Sequence, residues 1–151
     1  MKRREGFSVI EIILVLGVIG ILSSFIVPKV RDYLAMAKDS KAINTLQNLR
    51  VASETYYLEK GSYPWPSTGI TNMSEVLENL ENYIGKNKVP KPGDGDDLLL
   101  EIGGSKSTPD GEITYGGEVK VNLDTGNTHF ILTPKDSKQE YNIRGEKWED
   151  I

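Results

Sequence analysis

The strongest constraint on this chain is an apolar segment close to its beginning. Between Phe7 and Val27 every residue except Glu11 is apolar, glycine or serine. A helix of about 21 residues is about 31 Å long, which is enough to cross the roughly 30 Å hydrocarbon core of a bilayer. Basic residues occupy positions 2–4, and this favours an amino terminus in the cytoplasm with the remainder outside. The sequence therefore predicts one membrane-spanning helix followed by a more polar part.

Composition excludes several functional classes. The chain of 151 residues carries a net charge of −4, so it lacks the basic surface that nucleic acid needs. It contains no cysteine, which excludes a disulfide framework, thiol catalysis and cysteine-ligated zinc. Its single histidine, His129, cannot form a multi-histidine metal site, and no nucleophile–base pair or phosphate loop is visible. We predict no enzyme and no specific nucleic-acid partner.

Glu11 is the one charged side chain inside the apolar segment. A charge at the centre of a bilayer costs about 2.5–3.5 kcal/mol or more, and such residues are functional candidates. One simpler interpretation is an ordinary secretory signal peptide. Its only small-x-small cleavage site, at residues 35–37, lies beyond a charged stretch. The other interpretation is a plain single-pass anchor, which explains the length and the flanking charges but leaves Glu11 unexplained.

The whole amino-terminal pattern is more specific than the apolar segment alone. The run "KRREG" is followed by "FSVIE" and then by an unbroken apolar helix. This pattern resembles the class III signal of type IV pilins and pseudopilins. The resemblance implies that a prepilin peptidase cuts between Gly6 and Phe7 on the cytoplasmic side and methylates the new amino group of Phe7. Residues 1–6 would then be a cytoplasmic leader peptide.

The resemblance also supplies a partner for Glu11. Cleavage creates an α-amino group with an ordinary pKa of about 7.7–8.0, which is mostly cationic at neutral pH, and methylation keeps that charge. Side chains of a helix lean toward its amino end, so Glu11 reaches the level of Phe7. The two groups can pair within one subunit, but the resemblance favours pairing between the amine of one subunit and Glu11 of the next. Such a pair would fix the axial register of a filament.

The later part of the apolar segment contains weak helix formers and a proline. Gly17, Gly20 and two serines lie upstream of Pro28, which removes a backbone donor and crowds the preceding turn. The resemblance implies that the stretch from Gly20 to Pro28 loses helicity in an assembled filament, so we predict a hinge there. The alternative is a membrane helix with a harmless kink.

Beyond Pro28 the pattern becomes amphipathic. One apolar stripe recurs at intervals of three, four and seven residues: Ala35, Ala42, Leu46, Leu49, Ala52 and Tyr56. Gly61 is the predicted helix stop. We therefore predict a long helix over residues 7–60, with 7–27 as the transmembrane segment or filament core, and a globular head over 61–151.

The head combines one helix with several strands. The run "NMSEVLENLENYIG" predicts a helix capped by Asn72 or Ser74 and ended by Gly85. The runs "DLLLEI", "EITYG", "EVKVNL", "THFILT" and "EYNIR" predict strands, with a hairpin turn in "NLDTGNTHF". The predicted fold class is α+β, with a long helix packed on an antiparallel sheet, as the resemblance to type IV pilins also implies.

An acidic loop precedes the first of these strands. Asp94, Asp96 and Asp97 could be read as a calcium site, because major type II secretion pseudopilins carry one. The run "GDGDD" lacks the spacing and the distal glutamate of an EF-hand, so a solvated loop is the preferred interpretation. The lysines at positions 86, 88 and 91 are also predicted to be solvated. No cofactor is predicted, with calcium as the alternative.

These features predict a structural subunit of a type IV pilus-like filament. The chain would be held in membrane lipid with its carboxyl-terminal part outside the cytoplasm, then polymerised into a homo-oligomeric helical filament, extracellular or periplasmic. The expected partners are prepilin peptidase and an inner-membrane assembly platform. One alternative is a type II secretion or competence pseudopilin. Another, from a different class, is a membrane-anchored binding module.

Overall fold

The computed structural model describes residues 6–85 and 89–151. The predicted leader residues 1–5 and the lysines at positions 86 and 88 lie outside the described residues. The chain divides into two compact units, the first ending at Leu34 and the second running from Ala35 to Ile151. The boundary falls inside the predicted long helix, where the apolar segment gives way to the amphipathic stripe.

Helix α1 spans Val9–Lys60 and contains Pro28 without interruption. It begins two residues later than predicted. In the first unit its side chains are exposed, with Asp32 the partly buried exception, and the most apolar 18-residue window has none of its residues buried. Among the described residues α1 is the one helix long and apolar enough to cross a membrane.

In the second unit α1 buries the predicted stripe. Its five aliphatic members are at most 5% exposed and Tyr56 is half-buried against the core. The helix stops where Gly61 adopts a positive φ of 75° and donates its N–H to the carbonyl of Tyr57 at 2.8 Å. Glycine reaches this left-handed conformation without steric cost, which explains the stop. The stripe and the stop are confirmed.

Helix α2 spans Met73–Ile84, as the sequence predicts. Asn72 is its N-cap, and the side chain accepts the N–H of Glu75 at 3.0 Å. Gly85 ends the helix with a φ of 99°. The buried face consists of Met73, Val76, Leu77 and Leu80.

Five short strands complete the described part of the second unit. They are β1 Leu99–Glu101, β2 Gly104–Ser105, β3 Thr114–Tyr115, β4 Glu118–Leu123 and β5 Phe130–Pro134. Strands β1, β4 and β5 form an antiparallel sheet in the order β1-β4-β5, and β2 pairs with β3. The predicted hairpin joins β4 to β5, with Val121 opposite Leu132. The α+β fold, a long helix packed on an antiparallel sheet, is confirmed.

One core joins the stripe of α1, the inner face of α2 and alternate residues of the sheet. Val119 and Val121 of β4 and Phe130 and Leu132 of β5 have no exposed surface, because period-two alternation turns them to the same side. Arg50 of α1 adds hydrogen bonds that were not predicted from the sequence. It donates to the carbonyl oxygens of Phe130 at 2.7 Å and of Ile151 at 2.8 Å.

The predicted strand over "EYNIR" is wrong. Only Tyr141 pairs there, in single bridges to Lys106 and Lys147. The following residues turn instead, because the buried side chain of Asn142 accepts the N–H of Glu146 at 3.0 Å and donates to its carboxylate at 2.7 Å. Asparagine side chains compete with sheet pairing in this way.

Candidate functional site

The predicted processing site is open in the structure. Gly6 and Phe7 precede α1 in non-helical chain, and Phe7 is 87% exposed. A Cβ added to Gly6 would meet nothing within 4 Å. The packing of this chain therefore places no demand for glycine at position 6, so any such demand would come from another molecule.

Glu11 closes a hydrogen bond at the start of α1. Its Oε2 atom accepts the backbone N–H of Ser8 at 2.8 Å. The carbonyl of Ser8 in turn accepts the N–H groups of Glu11 at 3.1 Å and of Ile12 at 3.3 Å. Ser8 thus occupies the N-cap position and Glu11 the third helical position, which is the spacing of a capping box. A carboxylate here also complements the positive end of the helix dipole.

This capping geometry was missed at the sequence level, although "SVIE" carries the Ser-x-x-Glu signal. The hydrogen bond from Ser8 offsets part of the free-energy cost of placing a carboxylate in an apolar segment. The contact occupies one of the two carboxylate oxygens with a neutral donor. Glu11 can therefore still bind a cation.

The surface around Glu11 is apolar on every side of the helix. Exposed fractions run from 49% at Ile12 to 76% at Val9, and Phe25 is 72% exposed. A Cβ added to Gly17 or Gly20 would meet nothing within 4 Å. Glycine inside a helix costs roughly 0.5–1 kcal/mol relative to alanine, and here the chain itself gains no close contact in return. The predicted hinge between Gly20 and Pro28 is helical throughout in this state and remains a prediction.

The acidic loop before β1 is engaged within the chain. Asp96 accepts the N–H groups of Met73 and Ser74 and the Ser74 hydroxyl, and these bonds hold its pKa below the ordinary value. Asp97 lies 2.6 Å from the ammonium group of Lys120. Asp94 is exposed, as the solvated-loop interpretation expects, whereas Asp96 and Asp97 are half-buried and paired within the chain. No cluster of three metal-ligating side chains occurs among the described residues.

The hairpin between β4 and β5 contains the single histidine. Asp124 accepts the N–H groups of His129 at 3.0 Å, Thr128 at 2.6 Å and Gly126 at 3.1 Å. These bonds, with that of His129 the largest influence, lower the pKa of Asp124 to about 2. The Nδ1 atom of His129 lies 3.7 Å from the same carboxylate. This arrangement organises the turn rather than activating a nucleophile.

Comparison with known proteins gives relatives but no matching family model. The chain is 36% identical over 147 residues to a fimbrial protein of Pseudomonas aeruginosa, covering 93% of this chain and 95% of the relative. It is 29% identical over 117 residues to a type II secretion system core protein G of Vibrio cholerae serotype O1, covering 73% and 79%. It is 31% identical over 86 residues to a type IV major pilin protein of Neisseria gonorrhoeae, covering 57% of this chain and 48% of that protein.

Proposed function

Because this chain belongs to the family of type IV pilins and type II secretion pseudopilins, we propose that it is a structural subunit of a pilus-like filament. In this proposal residues 1–6 are a leader, 7–60 the assembly helix and 61–151 the head. The subunit is held in the inner membrane until it enters a filament of many copies outside the cytoplasm.

The observation that carries this proposal is the contrast in burial along α1. The most apolar window of the helix has no buried residue, whereas the second unit already has a closed core. An apolar helix with no stripe can be covered only by a medium or by neighbours that surround it. Lipid fits that requirement before assembly, and a bundle of identical helices fits it afterwards.

The processing and assembly partners follow from the amino-terminal residues. Prepilin peptidase would cut after Gly6, where the non-helical and exposed chain gives close access to the backbone. The amine of Phe7 would then meet Glu11 of the next subunit, while an inner-membrane assembly platform moves subunits out of the bilayer. We propose no catalytic function and no cofactor for this chain.

The runner-up is a subunit of a type II secretion or competence pseudopilus. The alignment with core protein G covers 73% of this chain, and the same amino-terminal chemistry serves both kinds of filament. Cells lacking the gene, assayed in parallel for surface filaments, motility, transformation and secretion, separate the two. A membrane-anchored binding module, the third possibility, predicts that no filament contains the protein.

Intact-mass measurement of the membrane-extracted protein tests processing. We expect a mass that corresponds to loss of residues 1–6 and gain of one methyl group. Gly6→Ala should block the cleavage because a Cβ obstructs a peptidase at the scissile bond, and Gly17→Ala is a matched glycine control that should leave it intact. A mature chain that begins at Met1 would contradict the proposal.

Glu11 variants test assembly and separate its two contacts. Glu11→Gln keeps an acceptor for the Ser8 N–H and removes the charge, whereas Glu11→Ala removes both. If the amine of a neighbour is the partner, both variants should be processed but should yield few or no sheared filaments. Glu78→Gln changes an exposed carboxylate on α2 and serves as the control. Wild-type filament yield from Glu11→Gln would show that the charge is dispensable.

A further inference from the structure

A buried carboxylate on α1 has no part in the function proposed above. Asp39 is 5% exposed and lies one helical turn beyond Ala35, the first residue of α1 that is buried in the second unit. Its Oδ1 atom accepts the N–H of Gly103 at 2.8 Å, and its Oδ2 atom accepts the N–H of Ile143 at 3.4 Å. One side chain therefore joins the helix to two turns that are distant in sequence.

The backbone of both turns comes close enough to α1 to donate hydrogen bonds to this carboxylate. A Cβ on Gly103 would lie 2.0 Å from the carbonyl oxygen of Ala35, so only glycine lets this backbone touch the helix. A Cβ on Gly104 would lie 3.0 Å from the Ile143 side chain, so the turns also pack on each other. Main-chain bonds in both directions between Lys106 and Tyr141, at 2.8 and 3.0 Å, extend this contact.

The stability of these contacts depends on the hydrogen bonds that Asp39 accepts. Burial raises the pKa of Asp39, while the N–H groups of Gly103, Ile143 and Gly104 and the charge of Arg144 act in the opposite direction. Removing the carboxylate would leave two buried N–H groups without an acceptor, and leaving such a group unsatisfied costs more than a typical hydrogen bond contributes to stability. A position that only had to fill space would be served better by an apolar residue.

We propose that Asp39 is a latch that fixes where the burial of α1 in the second unit begins, by holding the turns at Gly103 and Ile143 against the helix. Without it, the next buried apolar residue of the stripe is Ala42, so burial would begin about 10 Å further along α1. In a filament, the point where this burial begins sets the length of α1 between the helical core and the head. This consequence rests on the proposed function, whereas the latch itself does not.

Hydrogen–deuterium exchange of the full chain in detergent micelles tests the latch. In Asp39→Ala we expect about 10- to 100-fold faster exchange in peptides covering residues 35–41, 102–105 and 142–145, as the loss of buried hydrogen bonds requires. Helix α2 and the β4–β5 hairpin should keep their wild-type exchange. Lys41→Ala changes an exposed side chain on the same helix and should behave as wild type.

Two results would overturn the latch. Either wild-type exchange in all three peptides of Asp39→Ala, or equally faster exchange throughout the second unit, would show that Asp39 does not control a local opening. Should Asp39→Ala fail to fold, Asp39→Asn keeps the shape and one acceptor oxygen, and it should speed exchange at one of the two turns.

Sheared filament yield, measured on the same strains, tests the consequence for assembly. We expect at least a several-fold lower yield from Asp39→Ala and an unchanged yield from Lys41→Ala. Absence of filaments in the wild type would contradict the proposed function and leave the exchange result to decide the latch. Altered exchange with an unchanged yield would mean that the point where burial of α1 begins does not control assembly.

Discussion

The two halves of α1 share one continuous backbone and have opposite surroundings. From Val9 to Leu34 no side chain is buried, although nearly all are apolar up to Val27. From Ala35 to Lys60 a periodic set of side chains is buried and the remaining surface is mostly polar. Both halves belong to one continuous helix, so the difference in surroundings lies in the side chains.

This contrast shows that the spacing of apolar residues along a helix, rather than its total hydrophobicity, indicates how many sides of the helix must be covered. A stripe of spacing three and four can be covered by one layer, and in the second half that layer is the sheet and α2 of the same chain. Uniform apolarity needs cover from all directions, as the lipid and the neighbouring subunits proposed above would provide.

The largest effect we expect comes from making the same substitution in each half. Leu46 has no exposed surface, whereas Leu14 is 65% exposed. Leu46→Ala should lower the free energy of unfolding by about 2–5 kcal/mol, because it removes buried methyl groups and leaves a cavity. Leu14→Ala should leave that free energy unchanged. Thermal unfolding in detergent micelles, followed by near-ultraviolet circular dichroism, measures both. Equal losses would break the comparison.

A smaller effect concerns carboxylates that cap a helix in each unit. Asp96 caps α2 from a neighbouring loop, as Glu11 caps α1 from within its first turn. Asp96→Ala should lower the melting temperature by a few degrees, because α2 loses acceptors for its first N–H groups. Asp94→Ala, two residues away, is the matched control and should have no effect. A rise in the melting temperature of the wild type on adding calcium would show that this loop binds metal instead.

The fold was largely predictable because it depends on local patterns. The stripe of α1, the helix stop at Gly61, the cap at Asn72 and the β4–β5 hairpin each follow from spacing or turn chemistry within a few residues. Strand β2 was not predicted, because Gly104–Ser105 has no period-two pattern and pairs only through its neighbour β3. The strand prediction around Tyr141 was wrong for a related reason. The hydrogen bonds between Asn142 and Glu146 favour a turn and outweigh the alternating pattern of the run "EYNIR".

The candidate site divides in the same way. Gly6, Phe7 and Glu11 were predicted from a contiguous motif and stay predictions, whereas the capping contact of Glu11 was readable from Ser8 although it was overlooked. Asp39 was not predictable. It accepts hydrogen bonds from backbone N–H groups that lie 64 and 104 residues away in the sequence. Every residue except proline carries such a group, so the residue types at those positions do not indicate the contact.

A pH series should resolve two carboxylates of the second unit with opposite slopes. The pKa of Asp124 falls from 3.8 to about 2 on folding, so its stabilisation is present above the ordinary value and is lost as pH falls through about 2. The pKa of Asp39 is raised, so its contribution is complete below 3.8 and is lost as pH rises through the folded value.

The measurement is the melting temperature of the wild type minus that of each variant, plotted against pH. For Asp124→Asn this difference should grow as pH rises from about 2 to 4. For Asp39→Asn it should shrink as pH rises above about 4, whatever offset the lost hydrogen bond adds. Slopes of the same sign for both variants would contradict the assigned surroundings of one carboxylate.

The smallest effect we expect is confined to one pair of surface side chains that joins α2 to the second half of α1. Tyr83 of α2 donates its hydroxyl to Glu59 of α1 at 2.6 Å, and this bond is the main reason that the pKa of Tyr83 rises from 10.0 to about 12. Glu59→Gln should return the pKa toward 10.0 with little change in melting temperature, because the pair lies at the surface. Ultraviolet titration of tyrosinate follows the shift, with Glu78→Gln, which changes an exposed carboxylate of α2, as the control. If all tyrosines of the wild type titrate together near 10, the bond between Tyr83 and Glu59 is absent, and the contact between the two helices rests on the buried core alone.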